Sequence, residues 1–188
     1  MQILFNFLVC ILATTIGGIS GVGGGVIIKP VLDAVSGLPV ATISFLSGCT
    51  VLAMTITSML RSIGGEVKVE PRRGTLLAIG AAVGGIAGKQ LFDIVKDAGG
   101  SAVSVAQQVL MIILTLGVLA YTLNRPRIRT LDVKNGAACV LIGLALGVLS
   151  SFLGIGGGPI NLAVLYYFFS MDSKTAALNS LYVILFSQ

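Results

Sequence analysis

Two glycine-rich stretches hold the residues of this chain whose types and spacing suit ligand chemistry. GISGVGGGVIIKPVL spans residues 18–32, and SFLGIGGGPINLAVL begins at Ser151. Where glycines break a helix, consecutive free backbone N–H groups form a nest that binds anions, and the N-terminus of the next helix adds partial positive charge. Both stretches come immediately before a predicted helix. They therefore predict a small-anion site built from backbone amides.

The glycines of the two stretches coincide at a single offset, the 133 residues that separate Gly21 from Gly154. In membrane helices, glycine more often permits close helix packing than ligand binding, and GAAVGGIAG at residues 80–88 is interpreted in that way. Repetition at matching positions, at a density that breaks helices, favours binding for the two runs. The predicted substrate-binding glycines are Gly21, Gly23, Gly24, Gly25, Gly154, Gly156, Gly157 and Gly158.

Polar side chains near the glycines extend the predicted substrate site. Lys29 follows the first run by one helical turn, where an ammonium group either attracts the anion or snorkels to the membrane interface. Hydroxyl and amide groups at the start of the following helices either donate to the oxygens of an anion or join neighbouring helices. These residues are Thr42, Ser44 and Ser47, with Thr175, Asn179 and Ser180 in the second copy, and Asn161 two residues after Pro159.

The composition is that of an integral membrane protein. Of the 188 residues, 55% are hydrophobic and 10% are charged, whereas soluble domains carry roughly 25% charged residues. The net charge of +5 comes mainly from short connections, so it indicates membrane topology and not nucleic-acid binding. The chain has no histidine and three widely separated cysteines, so no metal centre and no cofactor is expected. Neither glycine run completes a nucleotide-binding motif.

Eight apolar segments predict an all-α, polytopic transmembrane helical bundle with glycine-broken helices. They cover residues 3–19, 24–36, 40–60, 74–93, 103–123, 135–153, 158–170 and 175–188. The connections at 61–74 and 124–134 are basic, which places them in the cytoplasm. The first two segments are interpreted as a hairpin, because about 30 helical residues exceed the thickness of the hydrocarbon. No Asp or Glu is expected deep in any segment, so a carboxylate proton relay is unsupported.

The repeat divides the chain into two parts. Residues 1–134 form a first transmembrane repeat, and residues 135–188 form the start of a second, incomplete one, which suggests a fragment or a truncated gene product. Because the first unit holds five segments, an odd number, its copy inserts upside down, which is the inverted-repeat architecture of secondary transporters. The two glycine breaks are then expected to face each other near the middle of the membrane.

The paired GxGGG runs, followed by ATISFLSG at 41–48 and KTAALNSL at 174–181, resemble the TauE/SafE family of sulfite exporters. The resemblance implies a multi-pass permease of a bacterial or archaeal plasma (inner) membrane. It also implies substrates such as sulfite, sulfonates, sulfoacetate or thiosulfate, and transport that is coupled to an ion gradient.

The leading hypothesis is a secondary transporter for small sulfur-containing or organic anions that works by alternating access, and not an enzyme. A passive anion channel and a non-transporting membrane subunit stay open as alternatives. The expected partners are a small anionic substrate and the lipid bilayer. A coupling ion, either H+ or Na+, and a second copy of the chain in a homodimer also stay open, and no nucleic acid is expected.

Overall fold

The computed structural model describes residues 2–63, 69–99, 101–124, 128–153 and 157–187. Within these ranges the ordered elements are all helices and there is no strand, which confirms the predicted all-α class. The helices are α1 (Gln2–Ser20), α2 (Gly25–Val35), α3 (Val40–Ser62), α4 (Pro71–Gly99), α5 (Ser101–Asn124), α6 (Gly136–Leu153), α7 (Gly158–Phe169) and α8 (Ser173–Ser187).

Four of the described helices contain stretches that are long and apolar enough to cross a membrane. The stretches are Thr42–Ser62 in α3, Pro71–Val95 in α4, Val105–Asn124 in α5 and Gly136–Leu153 in α6. In α5 only 6% of the apolar stretch is buried inside the protein. Soluble proteins rarely expose contiguous apolar surface on this scale, so the outer face of α5 is suited to contact with lipid. The prediction of a helical membrane protein is confirmed.

The helix boundaries follow the predicted segments closely, and α4 differs most. The segment predicted at 74–93 is observed as Pro71–Gly99. Proline suits the first turn of a helix, because its missing N–H would have no intrahelical partner there, and this explains the start at Pro71. After residue 93 the sequence DIVKDAG contains no proline and no early glycine, so the helix continues to Gly99.

α1 and α2 form a helical hairpin, as predicted. Cys10 and Ala13 of α1 share a hydrophobic cluster with Ile28 and Leu32 of α2, which shows that α2 folds back along α1. The turn of this hairpin contains the first glycine run. The hairpin therefore carries that run at its tip.

α6 and α7 form a second hairpin. The connection before α6 is bonded to the end of α7, since the amide of Leu131 donates to Tyr167 O at 2.7 Å and the amide of Val133 donates to Phe168 O at 2.9 Å. α6 therefore begins at the end of the bundle where α7 stops. Gly157 and Gly158 of the second glycine run lie at the tip of this hairpin.

The two hairpins enter the bundle from opposite ends. Lys174 at the start of α8 lines the same cavity as Arg61 at the end of α3, so the end of α3 lies where α7 stops and α8 begins. The start of α3, and with it the end of α2, lies at the other end of the bundle. This arrangement agrees with inverted repeats, while the division at residue 134 stays a prediction.

Glycines form the contact between α4 and α6. A β-carbon added at Gly84 would overlap the carbonyl of Leu144, and one added at Gly147 would overlap the carbonyl of Ala81. Small residues let membrane helices approach until Cα–H groups contact carbonyl oxygens of the neighbouring helix. The other members of this glycine seam are Gly80, Gly88 and Gly143. The interpretation of GAAVGGIAG as a packing element is confirmed.

Replacing Gly84 with alanine is expected to destabilise the protein, whereas the same change at Gly117 is not. Alanine favours a helix over glycine by about 1 kcal/mol, and at Gly117 in α5 the new methyl group meets nothing within 4 Å. At Gly84 it meets the backbone of Leu144, and overpacking of this kind costs about 1–3 kcal/mol. Thermal unfolding in detergent should give a lower Tm for Gly84→Ala than for Gly117→Ala. Equal Tm values would contradict a close-packed seam.

Candidate functional site

The first glycine run forms the turn between α1 and α2, called here the first break (residues 21–24). Gly21 and Gly23 have φ angles of 72° and 77°, in the left-handed region that glycine tolerates best. The amide of Gly23 donates back to Gly17 O at 3.3 Å. α2 then begins at Gly25, and the first amides of a helix have no intrahelical acceptor. The backbone conformation of the turn, and not a side-chain contact, therefore explains why glycines occur at these positions.

The connection from Leu153, the last residue of α6, to Gly158, the first residue of α7, is called here the second break. Gly157 is the N-cap of α7 and also has a positive φ, 68°. Its carbonyl accepts a hydrogen bond from the amide of Asn161 at 2.8 Å. The other predicted glycines of this run, Gly154 and Gly156, lie outside the described residues.

The two breaks are in direct contact. Gly158 lies so close to the backbone of Val22 that an added β-carbon would overlap the Val22 carbonyl. Gly21 contacts the backbone of Ala177 in α8 in the same way. Ser180, one turn further along α8, donates its hydroxyl proton to Gly21 O at 2.8 Å. The structure thus brings Gly158 of the second run against the first run, and it joins the first run to α8.

Side chains from α2 and α5 cap the broken end of α6. Lys29 Nζ donates to Leu153 O at 2.8 Å, and Gln107 Nε2 donates to Phe152 O at 2.6 Å. The last carbonyls of a helix have no intrahelical donor, and a cation near a helix C-terminus also interacts favourably with the helix dipole. Lys29 is 3% exposed, so it does not snorkel to an interface. The hydrogen bond from Lys29 to Leu153 O caps the end of α6. That the ammonium group also attracts an anion stays a prediction.

Two buried polar side chains beside the second break have no hydrogen-bond partner in the part of the chain that the structure describes. They are Ser150 of α6 and Asn161 of α7, each 1% exposed. A β-carbon added at Gly157 would lie 2.9 Å from Ser150 Oγ and 3.1 Å from Asn161 Oδ1. An unpaired buried polar group costs about 1–3 kcal/mol. Together these groups offer one O–H and two N–H donors beside Gly157.

The other predicted hydroxyl and amide side chains contribute mainly to the fold. Asn179 donates to Thr175 O at 2.8 Å and accepts from the amide of Glu70 at 3.2 Å, which ties α8 to the start of α4. Of the predicted hydroxyl side chains, within the described residues, Ser180 is the one with a hydrogen bond to a break, at Gly21 O. The three on α3 differ in exposure: Ser47 is buried, Ser44 is half-buried and Thr42 is exposed.

The start of α8 is capped by a carboxylate. Asp172 Oδ2 accepts from the amide of Lys174 at 3.2 Å and from the amide of Thr175 at 3.5 Å. The hydrogen bond from the Thr175 side chain, with help from these amides, lowers the pKa of Asp172. The predicted site residue Thr175 therefore lies at a helix cap, next to a carboxylate, and not at a break.

A cavity of about 740 Å³ lies between α1, α3 and α8, and we call it the vestibule. It extends from Arg61 and Lys174 at the basic end of the bundle to Gly18 and Ala177, and Ala177 contacts the first break at Gly21. No carboxylate belongs to its described lining. Its hydroxyl-bearing residues are Thr14, Thr15, Thr50, Thr57, Ser58 and Ser62. A wall that carries charge of one sign, here positive, attracts anions.

A carboxylate that the predicted site does not include, Asp33, lies in the last turn of α2. Asp33 lies in this helix one turn after Lys29 and is half-buried, and it lines a second cavity, of about 580 Å³, between α2 and α5. The i,i+4 spacing of Lys29 and Asp33 inside one segment is the signal that identifies this residue from sequence. Ser150 and Gln107 were also not predicted, and each is a polar residue inside an apolar run.

The chain matches a protein-family model over nearly its whole length. A family model described as "Sulfite exporter TauE/SafE" matches residues 6–188. The matched range extends from α1 into α8 and includes both glycine runs and every residue of the vestibule and of the second break described above. Neither a curated protein nor a solved structure matches the chain.

Replacing Gln107 with leucine is expected to loosen the end of α6, because Phe152 O then loses its donor. The expected loss of stability is about 1–3 kcal/mol. Gln108→Leu is the matched control, since the neighbouring Gln108 is exposed. Hydrogen–deuterium exchange of peptides from the end of α6, together with Tm in detergent, measures the effect. If both variants exchange like the wild type, the cap does not hold the helix end.

Proposed function

Because the chain belongs to the TauE/SafE family of sulfite exporters, we propose that it is a plasma-membrane permease for small sulfur-containing or organic anions. Sulfite, sulfonates, sulfoacetate and thiosulfate make up the proposed substrate class. The two breaks form the substrate site, and the protein works as a secondary transporter and not as an enzyme. Membership of the family supports transport, and the geometry of the breaks supports the choice of site.

The observation that carries the site is the pair of unpaired side chains at the second break. Ser150 and Asn161 are buried beside Gly157 and have no partner among the described residues. The oxygens of a sulfite or sulfonate accept hydrogen bonds from such groups. The N-terminus of α7, which begins at Gly158, adds partial positive charge at the same place. A bound anion would therefore satisfy donors that the protein itself leaves unpaired.

The charges around the breaks favour an anion over a cation. Lys29 is held beside the second break by its bond to Leu153 O. Arg61 and Lys174 line the vestibule that extends to the first break. Clefts lined by charge of one sign raise the local concentration of ions of the opposite sign. The carboxylate of Asp33 lines a different cavity.

The placement of the hairpins supports transport by alternating access. Two hairpins that enter from opposite ends and touch at their tips give a substrate two routes, one from each side of the membrane. The vestibule extends to the first break from the end that carries Arg61 and Lys174, which the positive-inside rule assigns to the cytoplasm. The second break is buried. In this proposal the structure is the state that is open to the cytoplasm, and the opposite state opens the second break.

Replacing Asn161 with leucine is expected to reduce sulfite flux into proteoliposomes about ten-fold or more, because a hydrogen bond to a charged group contributes about 1.5–3 kcal/mol. Asn124→Leu is the matched control, since Asn124 is exposed at the end of α5. Flux through the wild type should saturate as the sulfite concentration rises.

Two results would contradict this proposal. Equal flux in Asn161→Leu and Asn124→Leu would remove the second break from the substrate site. A wild-type current that stays proportional to voltage and to anion concentration would show a passive channel in place of a carrier.

A further inference from the structure

Asp33 is a charged group that does not line the proposed anion site. It is half-buried in α2, and its Oδ1 atom is buried with no hydrogen-bond partner within the described ranges. It lines the cavity of about 580 Å³ between α2 and α5. A buried polar atom without a partner is rare in a folded protein and calls for an explanation. The role of Asp33 has to be sought in what this cavity can bind.

The walls of the cavity favour a proton over a metal cation at Asp33. Gln108 and Thr115 are the other polar side chains of the described lining, and the remaining residues are apolar. Hard metal cations take about six oxygen ligands, which three side chains do not supply. Apolar walls and an unpaired oxygen instead favour the neutral, protonated form of a carboxyl group.

Lys29 is the charged residue that faces Asp33. α1, α5 and α7 contain no charged residue, and Arg61, the charged residue of α3, lies at the end of that helix that is far from α2. At the i,i+4 spacing, Lys29 and Asp33 are neighbours on the surface of α2. The other titratable groups of these helices are the thiols of Cys10 and Cys49 and the phenols of Tyr121, Tyr166 and Tyr167.

We propose that Asp33 is the proton-binding site of this permease, and that protonation of Asp33 strengthens anion binding at the second break. The inference rests on the proposed anion transport. The ionised carboxylate balances the positive charge of Lys29, whose ammonium group lies at Leu153 O beside the break. Protonation removes the negative charge of Asp33, so the electrostatic potential at the second break becomes more positive. Linkage is reciprocal, so the bound anion also favours protonation. The proton and the anion therefore cross the membrane together.

The test measures the affinity of the purified full chain for methanesulfonate, whose charge does not change across the pH range used. The wild type is expected to bind about ten-fold more tightly at about pH 5 than at about pH 8, a coupling of ordinary size. Asp33→Asn, which mimics the protonated form, should bind at both pH values as tightly as the wild type does at the lower one. Asp93→Asn is the matched control, since Asp93 is exposed on α4, and it should keep the wild-type pH dependence.

Wild-type pH dependence in Asp33→Asn would overturn the proposal, and so would an affinity that follows the Na+ concentration at constant pH. If methanesulfonate does not bind the wild type at any pH, the proposed anion site is wrong. A second measurement then tests proton binding at Asp33 independently of anion binding. Infrared difference spectra between the two pH values should then contain a carboxylic-acid carbonyl component in the wild type and in Asp93→Asn that is missing in Asp33→Asn, beside the bands of the chain's other carboxyl groups. Presence of this component in Asp33→Asn would exclude proton binding at Asp33.

Discussion

A helix that stops within a bilayer leaves carbonyl and amide groups for which hydrocarbon offers no partner. This bundle meets that constraint at both breaks with groups from other helices. Lys29 and Gln107 donate to the last carbonyls of α6, and Ser180 donates to Gly21 O. These bonds fix the positions of α2, α5 and α8 relative to the breaks. The arrangement of the candidate site follows from the need to satisfy the broken backbone.

The same constraint explains why the two breaks differ. At the first break the Gly23 amide and the Gly21 carbonyl both have protein partners. At the second break the carbonyls of α6 are capped, but Ser150 and Asn161 stay unpaired among the described residues. Protein interiors rarely leave such groups without a partner. The second break is therefore the better candidate for direct contact with a solute, and the first break, next to the vestibule, is the better candidate for the route to it.

The sequence predicted the helices and the contact of the glycine runs, because both depend on local pattern. Apolar length identifies a membrane helix, and glycines at matching positions identify a repeated turn. Side-chain roles depended on contacts that the sequence does not encode locally. Lys29 and Leu153 are 124 residues apart, so nothing near Lys29 indicates a helix cap. Comparing the two repeats also failed to identify Ser150. At the offset of 133 residues its counterpart is Gly17, and a repeat comparison identifies only residues that both copies share.

The glycine seam limits how this protein can move. α4 lies in the predicted first repeat and α6 in the second, yet their backbones touch at Gly80, Gly84 and Gly147. Packed surfaces of this kind have discrete arrangements and do not deform continuously, so α4 and α6 move together. In the proposed alternating-access cycle, the predicted repeats 1–134 and 135–188 would then not move past each other as two rigid halves. Opening of the second break would leave α6 with α4 and shift the α1–α2 hairpin against them. Such a shift would break the bond from Lys29 to Leu153 O, which would make this bond the contact that distinguishes the two proposed states.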